Sequence, residues 1–280
     1  MQLTLSEALR TGAEAVAAMG SEDPNFESRV LLMALTGRSR TDLYAHEDER
    51  LTSEQEDRFL QAVARRAAGV PLQHILGFVD FRSIRLKCDA RALIPRPDSE
   101  IVVDLALAAR PPRRVADLGT GSGCLLLSIL AECPEASGIA VDADAAALGL
   151  ARENAGLLDL SGRIDFIHGS WRAWTGWGAC DLIISNPPYI RSDVISTLAP
   201  EVRDYDPMAA LDGGADGLDA YREIVQLGAD HMAKGAQLVL EIGYDQKSPV
   251  SDLLESAGFG NLQHRRDLGG NDRAIAATKS

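Results

Sequence analysis

The sequence predicts an α/β protein with a small N-terminal helical bundle followed by a doubly wound, seven-stranded and mostly parallel sheet. From Ser99 onward, segments with strand character alternate with helical segments, as in parallel sheets covered on both faces. The first seventy or so residues show helical patterns only. The last two strand segments are joined by the short Gly-Gly-Asn-Asp turn 269–272, which predicts a hairpin and therefore one antiparallel strand at the sheet edge.

The N-terminal region contains three helix starts that are marked by capping residues. A capping side chain accepts a hydrogen bond from the first turn, and proline suits that turn. Three pairs fit this pattern: Thr4 with Glu7, Asp23 with Pro24, and Thr52 with Gln55. Gly37 and Gly69 are predicted to end the second and third helices. We therefore predict a helical bundle over residues 1–72. Because it carries no catalytic pattern, we expect it to serve as a packing or docking module.

At residues 73–96 the sequence pattern changes from helical to alternating, which predicts a connector. The run QHILGFVDFRSIRLKCDARALIPRP alternates like a β-hairpin and ends in prolines, which suits a link between two domains. The domain boundaries predicted from this are 1–72 for the helical domain, 73–96 for a hairpin linker and 97–280 for the α/β domain.

The α/β domain is predicted to contain five helices and seven strands. Ser99 is expected to cap the first helix. The predicted helices cover residues 100–109, 123–133, 143–158, 217–232 and 248–258. The predicted strands cover residues 113–119, 137–142, 163–169, 180–185, 236–243, 261–268 and 273–279. Ligands of such sheets bind at the carboxyl ends of the strands, so functional residues are sought there.

Composition limits the classes of function. The chain has 280 residues, 46% of them hydrophobic and 25% charged, with a net charge of −13. An acidic protein repels phosphate backbones, so nucleic acid is not expected as the main partner. Glu7 and Arg10 interrupt the N-terminus where a signal peptide needs an apolar run, and no segment is long enough to span a bilayer. Four cysteines without a CxxC pair predict reduced core thiols in a cytoplasmic protein: Cys88, Cys124, Cys133 and Cys180.

A glycine turn follows the first strand of the sheet. Asp117-Leu118 leads into Gly119-Thr120-Gly121-Ser122-Gly123, directly before a predicted helix. Glycines allow the sharp turn and let a ligand approach the start of the helix. The spacing is G-x-G-x-G rather than the G-x-G-x-x-G of dinucleotide sites, because the position of the third glycine holds Cys124. It therefore favours a nucleoside cofactor without pyrophosphate over a nicotinamide cofactor, and a purely structural tight turn is the alternative.

Two further strand ends carry candidate cofactor residues. Asp142 ends the second strand, where a carboxylate can accept hydrogen bonds from both ribose hydroxyls. Asp144 is expected to cap the following helix instead. Trp171 follows the third strand, where an indole can stack on adenine. Ordinary packing is the alternative for Trp171, because Trp174 and Trp177 lie close by.

The fourth strand ends in Asn186-Pro187-Pro188-Tyr189, referred to here as the tetrad. Prolines cannot donate to a sheet ladder, so the strand must stop there, and residues before a proline are held extended. The Asn186 side-chain oxygen and the Pro187 carbonyl can therefore face a ligand and hold an NH₂ group. Tyr189 can press against the flat group that carries it. A rigid loop with an asparagine turn is the structural alternative.

The glycine turn, Asp142 and the tetrad together resemble S-adenosylmethionine-dependent methyltransferases that act on a planar nitrogen. Three further stretches resemble the release factor glutamine methyltransferase family, often called PrmC or HemK. They are IPRPDSE at 94–100, DPMAALDGG at 206–214 and LEIG at 240–243. The resemblance covers the whole chain. It implies S-adenosyl-L-methionine as cofactor, no metal, and a glutamine in the GGQ loop of class-1 peptide chain release factors as substrate.

The resemblance also assigns the site residues. The cofactor would be held by Gly119, Thr120, Gly121, Ser122, Gly123, Asp142, Trp171 and Asn186. The glutamine would be held by Asn186, Pro187, Pro188 and Tyr189, with Asn186 and Pro187 as the catalytic groups. Two positions depart from the family: many relatives have an acidic residue at Ser170, and the acidic residue before Pro207 is Asp206, one methylene shorter than usual.

The residues suggest catalysis by positioning. No histidine lies beside these motifs in a position to act as a base, and an amide nitrogen is a poor nucleophile. Two acceptors that grip its hydrogens would aim its lone pair at the methyl group and stabilise developing positive charge. The alternative activity is methylation of adenine N6 in DNA or RNA, which shares the tetrad but calls for a basic face. A cofactor-binding regulatory module without turnover is disfavoured by the intact tetrad. We expect a monomer.

Overall fold

The computed structural model describes residues 2–280 and divides the chain into two compact units. The helical unit consists of the residues up to Gly77 together with Pro200–Tyr205. The sheet unit consists of Phe78–Ala199 and Asp206–Ser280. The short segment 200–205 thus belongs to the helical unit although it lies far from it in sequence.

The helical unit is a bundle of short helices around a small apolar core. Its helices are α1 (Leu5–Ala17), α2 (Pro24–Thr36), α3 (Arg40–Ala45), α4 (Ser53–Ala67) and α5 (Leu72–Leu76). The core is built by Leu5, Ala8, Leu31, Leu32, Leu43, Leu51, Phe59, Ala62 and Val63. Gly12 lets α1 approach α2 closely, because a Cβ at this position would lie 2.3 Å from Ser28 Oγ. The N-terminal bundle predicted from sequence is confirmed.

Capping explains where these helices begin. Thr4 and Thr52 form the predicted capping boxes with Glu7 and Gln55, and Asp23 accepts a hydrogen bond from the α2 amide of Phe26. A third capping box at the start of α3, made by Ser39 and Asp42, was not predicted. Gly37 and Gly69 adopt positive φ angles at the ends of α2 and α4, as expected for glycines that close helices.

The inserted segment is fixed to the helical unit by polar contacts. It contains the one-turn helix α9 (Pro200–Arg203). Glu201 makes an ion pair of 3.0 Å with Arg66, whose side chain is only 4% exposed and also pairs with Glu27. The Tyr205 ring contacts the His74 ring edge-on at 6.5 Å between centroids.

The sheet unit begins with a separate two-stranded hairpin. Its strands, β1 (Phe78–Phe81) and β2 (Ile84–Lys87), pair antiparallel. The hairpin spans 78–87 and so covers only part of 73–96. The residues before it form α5, which is bounded by Pro71 and closed by Gly77, and the residues after β2 form a loop.

The main sheet has seven strands in the order β5-β4-β3-β6-β7-β9-β8. They are β3 (Arg114–Leu118), β4 (Ser137–Asp142), β5 (Ile164–His168), β6 (Leu182–Ser185), β7 (Gln237–Glu241), β8 (Phe259–Arg266) and β9 (Asp272–Lys279). The first five are parallel, and β9 runs antiparallel to β7 and β8. The predicted sheet and its terminal hairpin are confirmed; β9 is the inner strand of that hairpin and β8 forms the edge.

Helices cover both faces of this sheet. They are α6 (Glu100–Leu107), α7 (Cys124–Glu132), α8 (Ala145–Leu157), α10 (Met208–Leu211), α11 (Asp219–His231) and α12 (Lys247–Ser256). The prediction that Ser99 caps α6 is wrong, because residues 97–99 form a 3₁₀ turn and the Ser99 side chain accepts no hydrogen bond from the helix. Its hydroxyl instead lies close to Glu241, where it lowers the pKa of that carboxyl group.

Two apolar clusters fill the sheet unit, one on each side of the sheet. One contains Val102, Leu126 and Leu148, and the other contains Trp177, Ile224 and Val250. β6 is buried along its whole length, as expected for a central parallel strand. Across residues 2–280, no helix combines the length and apolar character that crossing a bilayer needs.

Candidate active site

A cavity of about 470 Å³ opens at the carboxyl ends of β3, β4 and β6. This volume lies within the range of small-molecule sites, about 300–1,000 Å³. Its walls come from the glycine turn, the ends of β4 and β6, the loop after β5, and two proline-containing segments at 91–96 and 207–210. The lining includes Gly119, Thr120, Gly121, Ser122, Asp142, Trp171, Asn186, Pro187 and Pro188.

The glycine turn needs glycine at each of its three positions. Gly119, Gly121 and Gly123 have φ angles of 71°, 57° and 84°. Such angles strain other residues, so the sequence forms the turn with glycines. A Cβ at Gly123 would lie 2.9 Å from Leu127, so this glycine serves the packing of α7, and it does not line the cavity.

A buried asparagine holds the outer side of this turn. The Asn154 side chain of α8 donates to the Ser122 carbonyl at 2.9 Å. Its side-chain oxygen accepts from the Lys87 amide at 2.7 Å. Asn154 is fully buried and ties the glycine turn to β2. It was not predicted, because nothing near it in sequence marks it as more than a polar helix residue.

Asp117, the last residue but one of β3, faces the cavity from below the glycine turn. One of its oxygens accepts from the Thr120 hydroxyl at 2.7 Å. The other, Oδ1, is buried and has no hydrogen-bond partner among residues 2–280. Burial raises the pKa of Asp117 to about 7, the nearby Asp142 adds to the rise, and the Thr120 hydrogen bond opposes it. A buried acceptor without a partner in a cavity wall can accept a hydrogen bond from a ligand, including one that carries a positive charge.

Asp142 lies where the sequence predicts it, across the mouth of the glycine turn. Its two oxygens accept from the Gly121 amide at 2.8 Å and from the Asp144 amide at 2.9 Å. A carboxylate has about four acceptor positions, so two remain for ligand hydroxyls. Burial raises its pKa, and the two amide hydrogen bonds oppose that rise. Asp144 caps α8 by accepting from the Ala146 amide at 2.7 Å, as predicted.

Trp171 is the tryptophan that lines the cavity. Its ring lies 3.5 Å from where a Cβ on Gly119 would be, so it closes over the glycine turn. Trp174 and Trp177 instead pack against each other at 5.6 Å, with Trp177 fully buried. Ser170 is exposed and caps a turn by accepting from the Ala173 amide at 3.3 Å. Ser170 is not among the lining residues.

The tetrad is anchored beside the glycine turn. The buried Ser185 hydroxyl donates to the Leu118 carbonyl at 2.6 Å, which joins the ends of β6 and β3. Beyond it, neither the Asn186 carboxamide nor the Pro187 carbonyl oxygen accepts or donates a hydrogen bond within residues 2–280. Asn186, Pro187 and Pro188 all line the cavity. The corner therefore presents two uncommitted acceptors to a ligand.

Tyr189 is placed differently from the rest of the tetrad. Its side chain packs into the core and its hydroxyl donates to Glu241 Oε1 at 3.2 Å. It does not belong to the cavity lining. The contact of Tyr189 with the flat substrate group therefore stays a prediction.

Two cavity walls were recognised in the sequence only as family-like stretches and not as site residues. They meet at Asp206, whose buried carboxylate accepts from Arg96 at 2.7 Å and from the Ile94 amide at 3.4 Å. This contact joins 94–96 to 207–210, which are more than 100 positions apart in sequence. The shorter side chain at 206 still makes the ion pair.

Cysteine and metal chemistry contribute little here. The four cysteines are free. Cys124 lines the cavity, and burial raises its pKa to about 12, so it is a neutral thiol. Within the described part of the chain, no group of three or more His, Cys, Asp or Glu side chains is placed to hold a metal ion.

Comparisons with known proteins identify the two parts of the chain. Residues 7–77 match the family described as the PrmC N-terminal domain, and residues 98–200 match the methyltransferase small domain. The catalytic domain of hMettl16, solved in complex with the MAT2A 3′UTR hairpin 6, is 15% identical with a TM-score of 0.56 and covers 82% of this chain and 83% of its own. At that identity the likeness concerns the fold alone.

Whole-length relatives are more specific. A protein of Caulobacter vibrioides named release factor glutamine methyltransferase is 39% identical, covering 100% of this chain and 98% of its own length. A protein of Agrobacterium fabrum with the same name is 40% identical, covering 97% and 96%. At this identity and coverage, the chain belongs to the release factor glutamine methyltransferase family.

Proposed function

We propose that this protein transfers a methyl group from S-adenosyl-L-methionine to the side-chain amide nitrogen of a glutamine in the GGQ motif of class-1 peptide chain release factors. The observation that carries the proposal is the uncommitted Asn186 carboxamide on a proline corner, in one cavity with the glycine turn and Asp142. Membership of the family supports the choice of a protein glutamine.

The cavity has features that fit the cofactor. Asp142 has acceptor positions left for ribose hydroxyls, and Trp171 offers a ring face beside Gly119 for the adenine. The orphaned Asp117 Oδ1 suits the ammonium group of the methionine part. The bound cofactor supplies a methyl group made electrophilic by its sulfonium. Gly119 to Gly123 would hold it through the main chain, with the role of Gly123 limited to shaping the turn.

The chain's own contribution to the reaction is orientation. The Asn186 side-chain oxygen and the Pro187 carbonyl would each accept one hydrogen of the glutamine amide. These contacts fix the nitrogen and favour a more pyramidal geometry, so that its lone pair is available to the methyl group. As nitrogen gains positive charge, the same acceptors stabilise it without having to reorganise. The methylated nitrogen would then lose one of its two protons to solvent water.

Roles for the two parts of the chain follow from this. Residues 1–72 would dock the release factor, and 97–280 would carry out the methyl transfer. Because the proposed substrate is a translation factor, we place the protein in the cytoplasm. We also expect it to act as a monomer. Release factors, and not nucleic acid, are the expected partners.

The test is mass spectrometry of a release factor incubated with the protein and isotopically labelled cofactor. We expect one added methyl group on the glutamine of the GGQ peptide. A release factor with this glutamine changed to alanine serves as control and should stay unmodified. Labelled methyl on DNA or RNA in a parallel incubation, with none on the release factor, would overturn the proposal in favour of adenine methylation.

A further inference from the structure

Glu241, the last residue of β7, is a buried acid outside the cavity lining. It is 2% exposed, and its Oε1 accepts the Tyr189 hydroxyl at 3.2 Å. Its second oxygen, Oε2, has no hydrogen-bond partner among residues 2–280. A buried acid is costly to the fold unless it is paired, so its position beneath the tetrad calls for an explanation.

Other groups at the end of β7 hold the same tyrosine. The Gln246 side chain donates to the Tyr189 carbonyl at 3.0 Å, and the Gly243 amide donates to the Gln246 side chain at 3.0 Å. Gly217 packs against the Tyr189 carbonyl so closely that a Cβ there would lie 2.4 Å from it. Both the backbone and the ring of Tyr189 are thus fixed from outside the cavity.

Glu241 is itself held in place. The buried Tyr221 hydroxyl of α11 donates to the Glu241 carbonyl at 2.9 Å. The Glu241 backbone pairs with Ala274 of β9, and its neighbour Leu240 also pairs with Ser185 of β6, so this end of β7 is fixed in the sheet. The Glu241 carboxyl group is therefore a fixed point against which the tetrad can be positioned.

We infer that Glu241 is a positioning residue of the reaction: it fixes the Tyr189 ring by accepting its hydroxyl, and so holds Asn186 and Pro187 at the angle the glutamine amide requires. The inference rests on the proposed function. Glu241 does not line the cavity, so it acts through Tyr189 and not on the substrate.

Because Glu241 can ionise, the strength of its hydrogen bond with the Tyr189 hydroxyl depends on pH. Burial raises its pKa to about 7, and Ser99, Arg273 and Tyr189 lower it, while Asp98 raises it further. Tyr221 is the other titratable group in contact with it. An ionised carboxylate is a stronger acceptor than a neutral one. The hydrogen bond to Tyr189 therefore strengthens as pH rises through about 7.

The test is a double-mutant cycle in the full-length protein. Glu241→Leu and Tyr189→Phe remove the two sides of one hydrogen bond, and each is expected to lower kcat about tenfold. The double variant should be no slower than either single variant, because the shared contact is lost only once. KM for the release factor and the Kd of the cofactor, measured by calorimetry, should change less than about threefold, since neither side chain lines the cavity.

Two further variants sharpen this test. Glu241→Gln keeps an acceptor oxygen, so it should recover most of the lost kcat and no longer show the rise in kcat through pH 7. Tyr244→Phe is the matched control, because Tyr244 is 69% exposed and its hydroxyl lies outside this network. Fully multiplicative effects of Glu241→Leu and Tyr189→Phe on kcat, or near wild-type kcat in both, would overturn the inference.

A measurement without substrate separates this inference from the proposed function. Carboxyl ¹³C NMR of Glu241 should report a higher pKa in Tyr189→Phe than in the wild type, because the Tyr189 hydrogen bond lowers it. This shift with no methylation of any release factor would mean that the proposed function fails while the pairing stands. An unchanged Glu241 pKa in an active enzyme would refute the pairing itself.

Discussion

Asn186 is the residue on which the proposed chemistry depends, because it lines the cavity and its carboxamide has no hydrogen-bond partner among residues 2–280. Its acceptor oxygen is expected to act on the substrate and to contribute little to the stability of the fold. Because Pro187 follows it, Asn186 is biased towards an extended backbone, as any residue before a proline is.

We therefore expect Asn186→Ala to lower kcat by about 10²–10³, the usual cost of removing one preorganised hydrogen-bonding group from an active site. The Kd of the cofactor should change less than about threefold, which calorimetry can measure. Asn25→Ala, at an exposed asparagine of α2, is the control and should leave both constants unchanged. Near wild-type turnover by Asn186→Ala would show that the amide is oriented by other groups.

Asp117 gives a second prediction at this scale, concerning stability. Its pKa is raised from 3.8 to about 7 in the fold. Such a group stabilises the fold fully below its unfolded pKa, and this contribution is lost as pH rises through the folded value. Asp117→Asn, which does not titrate, should therefore gain stability relative to the wild type between about pH 4 and pH 7, by up to about 1.4 kcal/mol per pH unit.

Urea unfolding at a series of pH values measures this difference. The carboxamide can still accept from Thr120, so the comparison isolates the charge. Curves of unfolding free energy against pH that run parallel for the two proteins would contradict the raised pKa.

At the scale of elements, the cavity is shaped by close backbone contacts. Gly213 makes one of them, because a Cβ there would lie 2.8 Å from Tyr189 Cα and 2.9 Å from the Pro188 carbonyl oxygen. The chain after α10 pairs with the chain after the tetrad through Ile190 and Leu211. The wall formed by 207–210 is therefore set directly against the tetrad.

Gly213→Ala should destabilise the protein by about 1–3 kcal/mol, since backbone atoms cannot move aside as a flexible side chain can. It should also lower kcat, because the tetrad shifts. Gly162→Ala is the control: nothing lies within 4 Å of a Cβ there, so we expect a change within about 0.5 kcal/mol. Thermal and urea unfolding of both variants measure the difference, and equal stabilities would mean that the wall can relax.

Elements with strong local signals could be predicted from sequence. Capping at Thr4, Asp23 and Thr52, the mostly parallel sheet implied by alternation, and the terminal hairpin all follow from patterns within a few residues. The five-residue helix α5 was missed because its turn is too short to show a period. Ser99 was misassigned as a cap because its side chain lies near Glu241, a residue that only the folded chain brings close.

The candidate site shows the same limit. Glycines, Asp142 and the tetrad lie at strand ends that topology gathers, so their common location was foreseeable. The wall held by Arg96 and Asp206 was not, because that ion pair joins segments with no local relation. The side-chain position of Tyr189 was equally inaccessible, since it depends on Glu241 of a later strand.

At the scale of the whole molecule, the net charge of −13 bears on the choice of partner. A protein that binds a nucleic-acid backbone gains affinity from cations that neutralise phosphates, and that gain is largest at low salt. The alternative of adenine methylation therefore predicts salt-sensitive binding to oligonucleotides.

We expect no binding to single-stranded or duplex oligonucleotides by fluorescence anisotropy, even at about 50 mM salt. The release factor, labelled in the same way, is the positive control. Oligonucleotide binding whose affinity falls steeply as salt is raised would favour adenine methylation. It would also show that the net negative charge does not prevent binding to nucleic acid.

The placement of Pro200–Tyr205 in the helical unit has a consequence for dissecting the protein. The ion pair of Arg66 with Glu201 and the ring contact of His74 with Tyr205 join this unit to a chain segment whose neighbours on both sides belong to the sheet unit. A protease that nicks the backbone after Gly77 would thus leave two fragments that co-purify. A truncated protein starting at residue 78 would keep Pro200–Tyr205 but lack the helical unit that this segment packs against.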